Sequence, residues 1–323
     1  MQEKRPKLSV IVPMWGVEKY IEKCARSLFE STLDDMEFIF VDDCTPDKSV
    51  EVLERVMTDY PKRVQQTCIV HHEVNKGLPQ ARKTGYEACH GEWITYCDSD
   101  DWVHPEMYEK MLVTSRSGYD LVCCDFVYQT VEKVLWKSHY GESIDAKQLR
   151  LDLMELKVSN AVWNKIVHRS IYENDIYFPQ LSMDEDDVLS SQFAYYAVNI
   201  GYTHDVLYYH YANPESMTHE NNREKKKKHL EDRIENLKWI VCFLESQKDE
   251  SLLNAIFRYK ILVKTFYFEM TGKNPRNVYS EVNAYMMTSP SLSLSERINN
   301  RILLQYTSMY PLYRKIVTLI KTR

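Results

Sequence analysis

Apolar and polar positions alternate in blocks along the first hundred residues. Leu8-Ser9-Val10-Ile11-Val12-Pro13 is an almost unbroken apolar run, the pattern of a strand buried on both faces. From Val17 to Ser31 the apolar residues Tyr20, Ile21, Cys24 and Leu28 recur at helical spacing. Glu37-Phe38-Ile39-Phe40-Val41 predicts a second buried strand. Val50, Leu53, Val56 and Met57 mark the inner face of the next helix, with Pro46 placed at its first turn. Thr67 to Val70 predicts a third strand, Gly77 to Cys89 a third helix stopped by Gly91, and Trp93 to Cys97 a fourth strand. This alternation predicts right-handed βαβ units and an α/β class fold with a doubly wound, mostly parallel sheet.

The pattern is less regular from Pro105 to about Glu220. It predicts a helix over Glu106 to Ser115, a strand over Leu121 to Tyr128, and a Trp/Tyr-rich region ending near Tyr211. Asp184-Glu185-Asp186-Asp187 introduces a helical face of Val188, Leu189, Phe193 and Val198. Acids in a first helical turn complement the helix dipole, so this run does not by itself demand chemistry. A charged helix follows from Glu224, with Leu230, Ile234, Leu237, Ile240, Val241 and Leu244 on one side and the lysines 225–228 on its solvated face. Amphipathic helix continues past Ser251. The segment from Ile298 to Arg323 is aromatic, basic and free of acids. It suits a peripheral membrane helix lying in the interface, and equally a helix packed on its own domain or in a homodimer. The expected division is a first half over residues 1–104, a second half over 105–221, and a C-terminal helical region over 222–323.

Composition narrows the class. Across 323 residues, 44% hydrophobic and 27% charged content are those of a globular protein, and a formal charge of −6 argues against nucleic acid as a partner. Eight cysteines lie mostly within apolar runs, with no CxxC or Cys/His ligand spacing, and read as reduced thiols. Met1 to Lys7 is polar and basic and the apolar run after it is too short for a signal peptide. No window approaches the roughly eighteen apolar residues of a membrane span. The expectation is a cytoplasmic protein, soluble or peripheral at the inner face of the plasma membrane.

In parallel sheets ligands bind outside the carboxyl ends of the strands. Four strand ends carry the chain's polar punctuation: Pro13, then Asp42-Asp43, then Asn75-Lys76-Gly77, then Asp98-Ser99-Asp100-Asp101. The last places three carboxylates within four residues, a donor set suited to Mg²⁺ or Mn²⁺ sharing its shell with substrate phosphates. An EF-hand loop does not fit, because the Gly and closing Glu fall in the wrong places. Alone, the cluster reads equally as a solvated acidic turn; the convergence of four strand ends favours a site.

Taken together these motifs resemble the family 2 glycosyltransferases of the GT-A fold. Ser9-Val10-Ile11-Val12-Pro13 with Val17-Glu18-Lys19-Tyr20-Ile21 is similar to their first strand and helix. Phe40-Val41-Asp42-Asp43 with Thr45 and Asp47, Asn75-Lys76-Gly77-Leu78 with Ala81-Arg82 and Gly85, and Gly91-Glu92-Trp93-Ile94 before Asp98-Ser99-Asp100-Asp101-Trp102 look like the next three, the last containing the DxD motif. Trp163-Asn164-Lys165 and Glu185-Asp186 are similar to later motifs of bacterial members. The resemblance covers roughly residues 7 to 220. Trp15-Gly16, Cys44-Thr45-Pro46, Lys83-Thr84 and Met183-Asp184 depart from the usual residues, which blurs the substrate while sparing every acid.

The resemblance implies an inverting, metal-dependent transfer of a sugar from a nucleotide diphosphate donor, expected to be a UDP-sugar. The acceptor is a glycan or lipid-linked oligosaccharide in surface polysaccharide synthesis. It implies Asp100 and Asp98 at the Mn²⁺ or Mg²⁺ ion, Asp98 also on the ribose, and Asp101 in support. Asp43 reads the base beside Pro13, Lys76 and Arg82 meet ribose or diphosphate, and Asp186 is the general base, with Glu185 the nearest alternative. His219 is a further candidate for the diphosphate or metal, weighed against a surface loop histidine. Two competitors remain: a non-catalytic nucleotide-sugar or glycan-binding protein, and a sugar nucleotidyltransferase. The second is disfavoured because Pro13-Met14-Trp15-Gly16 carries a single glycine where those enzymes favour a glycine-rich loop.

Overall fold

The structure is a computed structural model, and it describes residues 5–130, 132–138, 146–214 and 222–321. The chain divides into two compact units, Met1–His219 and Glu220–Arg323. The first runs β1 (Leu8–Met14), α1 (Ile21–Phe29), β2 (Met36–Asp42), α2 (Ser49–Met57), α3 (Pro61–Val64), β3 (Thr67–His71), α4 (Leu78–Ala88) and β4 (Trp93–Tyr96). It continues with β5 (Trp102–Val103), α5 (Met107–Ser115), β6 (Leu121–Gln129), β7 (Val134–Lys137), α6 (Ala146–Met154), β8 (Lys165–His168), α7 (Arg169–Tyr172), α8 (Glu185–Tyr196) and β9 (Ile200–Tyr211).

One sheet unites these strands in the order β3-β2-β1-β4-β8-β6-β9-β5, with β7 paired on β6. The parallel, doubly wound arrangement holds from β3 to β4. Beyond β4 the sheet is mixed: β8 runs antiparallel to β4 and β6, β5 antiparallel to β9, and β6 parallel to β9. The chain winds outward from β1 to β2 and β3, then returns to place β4 on the other side of β1. That reversal opens a crevice at the carboxyl ends of β1 and β4.

The apolar pattern is spent on this sheet. Every residue of β1 is buried, and α1 lays Ile21, Cys24, Ala25, Leu28 and Phe29 onto the core shared with Phe38, Phe40, Leu53 and Val56. On the opposite side α4 approaches so closely that a Cβ on Gly85 would lie 2.2 Å from Ile11 Cγ2. Gly85→Ala should therefore destabilise the first unit by about 1–3 kcal/mol through overpacking. A urea midpoint unchanged from the wild type would show that the interface yields freely.

Pro46 does not open α2. The helix starts at Ser49, because Asp47 is engaged elsewhere: its Oδ1 accepts from Thr45 Oγ1 at 2.8 Å and Ser49 N at 3.1 Å, and its Oδ2 accepts from Glu18 N at 2.9 Å. These bonds tie the loop after β2 to the loop after β1, leaving Pro46 outside the helix.

The second unit is helical: α9 (Arg223–Ser246), α10 (Leu253–Thr271), α11 (Asn283–Thr288), α12 (Leu294–Gln305) and α13 (Tyr310–Lys321). Ile234, Leu237, Ile240, Val241 and Leu244 form the buried side of α9, and lysines 225–228 are exposed, as the pattern implies. A second core gathers Phe268, Val282, Met286, Leu303, Leu304 and Tyr310. Ser293 and Glu296 form a capping box at the start of α12, which satisfies backbone donors the helix cannot. The segment expected as one amphipathic stretch is broken at Tyr306 to Met309 into two helices. Among the described residues no helix is long and apolar enough to cross a membrane.

Candidate active site

The acids after β4 are held in three different ways. Asp101 is buried, and its carboxylate accepts from Tyr208 Oη at 2.7 Å, Tyr211 N at 2.7 Å and pairs with His210 Nδ1 at 3.1 Å. It is the anchor that fastens the acidic loop to β9. Asp100 accepts from Asn213 Nδ2 at 2.8 Å, and Asn213 in turn accepts from Tyr20 Oη at 3.2 Å. Asp98 accepts from Arg82 Nη2 at 2.8 Å, and its backbone N–H donates to Tyr208 Oη at 3.1 Å.

Burial in this crowded turn raises the proton affinity of Asp98 and Asp100. Burial pushes the Asp98 carboxyl up to about 7, Arg82 opposes the rise, and the charges of Asp101, Asp186 and Asp100 add to it. Burial and then Asp101 raise Asp100, against the hydrogen bond from Asn213. Burial disfavours the His210 imidazolium, but the bond to Asp101 and the surrounding acids outweigh it and raise the ring to about 8.

Arg82, expected at the ribose or diphosphate, is only 1% exposed, and its guanidinium pairs with carboxylates. Nη2 binds Asp98, while Nη1 binds Asp186 Oδ1 at 2.7 Å and pairs with Glu185. One buried cation thus joins the acidic turn after β4 to the first turn of α8, across residues far apart in sequence.

The two base candidates differ in access. Glu185 is 3% exposed and its Oε2 is buried with no hydrogen-bond partner, whereas the Asp186 side chain is 26% exposed. The acids of this turn therefore do more than complement the helix dipole, since two of them meet Arg82.

Asp43 is buried at the end of β2. Its Oδ1 accepts from Lys76 N at 2.7 Å and pairs with His72 Nδ1 at 2.7 Å, and its Oδ2 accepts from Gly77 N at 2.8 Å. Gly77 adopts φ +85°, a conformation that favours glycine and aims its N–H back at Asp43. The Lys76 side chain is exposed, and Pro13 is buried in register with Val41 beside Asp43. Trp163-Asn164-Lys165 closes a loop from within: Lys165 Nζ donates to Ser159 O, Ala161 O and Asn164 Oδ1 at 2.9, 2.6 and 2.9 Å. His219 lies outside the described residues.

A divalent cation fits the donor chemistry of the turn. Among the described residues no group of three His, Cys, Asp or Glu side chains is arranged as a complete metal cage. Asp98 and Asp100 instead supply two carboxylates, both raised in proton affinity chiefly by burial, that could share a cation between them. Two carboxylates completed by substrate phosphates is the usual provision for Mg²⁺.

Tyr208, His210 and Asn213 escape a reading by motif. Their signal is the period of two in β9, which puts Tyr208 and His210 on one face; it becomes visible only once β9 is known to end beside Asp101.

The reversal between β1 and β4, with acids at the ends of β2 and β4, is the sheet arrangement of the GT-A fold. The family model "Glycosyl transferase family 2" matches residues 9–175, and the chain belongs to that family. It is 31% identical over 215 residues to the Bacillus subtilis (strain 168) glycosyltransferase-family protein EpsH, covering 64% of this chain and 60% of that one. It is 31% identical over 225 residues to the glycosyltransferase-family protein EpsJ of the same organism, covering 66% and 63%. The match thus spans less than two thirds of those relatives' length. Among solved structures, residues 1–349 of Staphylococcus aureus TarS, in complex with UDP-GlcNAc, superpose with a TM-score of 0.72 at 22% identity, covering 96% of this chain and 92% of that one. That likeness establishes the fold.

Proposed function

We propose that this chain is an inverting glycosyltransferase, moving a sugar from a nucleotide diphosphate donor to a glycan or lipid-linked glycan in surface polysaccharide synthesis. The observation that carries the reading is the Arg82 clamp, which holds the DxD carboxylate Asp98 and the accessible carboxylate Asp186 on one guanidinium. A leaving group and a base must sit on opposite sides of the anomeric carbon, and this cation fixes both sides together.

The donor is proposed to be a UDP-sugar, supported by the UDP-GlcNAc that TarS binds on the same fold. Asp43 Oδ2 meets a single donor, Gly77 N, in the hydrogen bonds above, which leaves acceptor capacity for the imide N–H of uracil. Pro13 walls the base pocket, and the exposed Lys76 reaches the diphosphate. Asp98 and Asp100 would hold Mn²⁺ or Mg²⁺, which when bound supplies Lewis-acid stabilisation of the departing diphosphate. Asp186 accepts the proton of the attacking hydroxyl. Arg82 is a positioning residue, holding that carboxylate in place through Nη1. Direct displacement with a single base inverts the anomeric centre. The alternative of a non-catalytic binding module is opposed by Asp186, since binding alone has no use for an accessible carboxylate held at the crevice by Arg82.

Titration calorimetry with UDP and Mn²⁺, followed by a donor-hydrolysis assay over UDP-, GDP- and TDP-sugars, tests the reading. The wild type should bind UDP more tightly with Mn²⁺ present, and Asp100→Ala should lose about tenfold of that affinity by removing one of two protein ligands. Mn²⁺-independent UDP binding in both proteins would overturn the metal assignment. Binding without turnover of any donor would favour the binding module.

The C-terminal helices support peripheral membrane contact. Met309, Leu312 and Ile316 are exposed along one stripe, next to Arg314 and Lys315, in a stretch with no acid after Glu296. Exposed apolar residues beside cations suit an anionic bilayer surface. The chain should co-sediment with phosphatidylserine vesicles, and Leu312→Glu with Ile316→Glu should abolish this while sparing UDP binding. Dimerisation of the wild type, lost in the same double variant, would instead assign the stripe to a second copy.

A further inference from the structure

Beside the acid cluster, three rings stand in a row across three strands. Cross-strand pairing sets Trp136 of β7 opposite Tyr128 of β6, and Tyr128 opposite His210 of β9. Residues paired this way point to the same face of the sheet. Tyr128 and His210 stack with centroids 5.1 Å apart and planes at 26°. His210 also stacks on Trp163 at 5.3 Å and 14°, while Trp136 leans edge-on against Phe126 at 5.3 Å. Phe126 and Trp163 are buried and form the floor, whereas Trp136 is 54% exposed, and Tyr128 and His210 keep part of their surface in solvent.

Three facts give the row a direction and a scale. It begins at the candidate active site, because His210 is bonded to Asp101, next to Asp100. It ends on the hairpin of β6 and β7, whose second strand is pinned by Ser138: its Oγ donates to Asp125 Oδ1 at 2.7 Å and accepts from Phe126 N at 2.7 Å. Adjacent strands stand about 4.8 Å apart, so the outer rings are separated by about 10 Å, the span of two linked pyranose rings. An exposed Trp in this setting is costly unless something covers it, and a bulk apolar partner is a poor match for a row containing His and a Tyr hydroxyl. The axial C–H face of a sugar suits the exposed Trp136 ring, and the next sugar rides over the edges of Tyr128 and His210, whose faces are stacked on each other, while the hydroxyls stay in water.

We propose that Trp136, Tyr128 and His210 form an acceptor subsite for two consecutive pyranoses of a β-linked, gluco-configured glycan, leading its terminal hydroxyl toward Asp186. This rests on the glycosyltransferase reading above. The probes are chitotriose, cellotriose and mannotriose, followed by saturation-transfer NMR on the full chain with UDP and Mn²⁺ present. One of the two β-linked gluco trisaccharides should bind in preference to mannotriose, and Trp136→Ala and Tyr128→Ala should each weaken it about tenfold, with Tyr128→Phe near the wild type. UDP affinity should be unchanged in all three variants, which shows that they fold. Wild-type binding of UDP with no trisaccharide bound, or trisaccharide binding untouched by either alanine, overturns the subsite alone. Failure of the wild type to bind UDP at all overturns the glycosyltransferase reading instead.

Discussion

Asp186→Asn is expected to lower donor turnover by about a thousandfold, within the range that a positioned general base contributes. The substitution keeps the shape of the side chain and its contact with Arg82 Nη1, now to an amide oxygen, so the fold and UDP affinity should persist. What it removes is the lone pair that takes a proton. Glu185 cannot substitute readily, because its carboxylate is buried against Arg82 and has no path to an attacking hydroxyl. Steady-state turnover with the best donor, alongside UDP titration, separates the two effects. Turnover within tenfold of the wild type would move the base to another residue.

The second large effect is on stability. Arg82→Met should cost about 3–5 kcal/mol, the usual penalty when one partner of a buried ion pair is removed and the remaining charges stay behind. Three carboxylates, Asp98, Glu185 and Asp186, converge on this single cation, so its loss leaves them facing one another. Arg82→Lys should fall between the two proteins, because a single ammonium cannot span both nitrogens' partners. Chemical denaturation of the three proteins measures this. UDP with Mn²⁺ should recover part of the loss, since a bound cation near Asp98 relieves the same repulsion. A wild-type midpoint for Arg82→Met would mean that the acids take up protons at no cost and that the clamp is not a stability element.

The half of the sheet from β1 to β4 is legible because its elements are local. β1, β2 and β4 are nearly continuous apolar runs, the last two leading into acids, and α1 and α4 carry helical spacing between them; each can be read in a window of fifteen residues. The half beyond β4 is made otherwise. Trp102–Val103 is a strand of two residues, recognisable only through its pairing with Tyr208 and Tyr209, more than a hundred residues later. Val134–Lys137 is exposed at every position, so it carries no burial period at all. Arg82 shows why motif position does not give role. The sequence places it near the diphosphate loop, but its partners Asp98, Glu185 and Asp186 lie up to 104 residues away and become visible only in the fold. Lys165 is similar: a lysine in a motif suggests a ligand contact, yet burial lowers its proton affinity and three oxygens around Nζ fix a loop.

The bonds from Tyr208 and Tyr211 to Asp101 have a consequence for the order in which this protein acquires its chemistry. Closing a loop of that length carries an entropic cost that local strands do not meet, so β9 is expected to join the sheet after β1 to β4 have paired. Until it does, the acidic turn has no anchor, and its three negative charges repel within a flexible segment. A nascent chain released before β9 emerges would therefore carry a folded nucleotide-side sheet with an unformed reaction centre, and activity should appear as a late, single step during refolding, behind the recovery of helix and sheet signal.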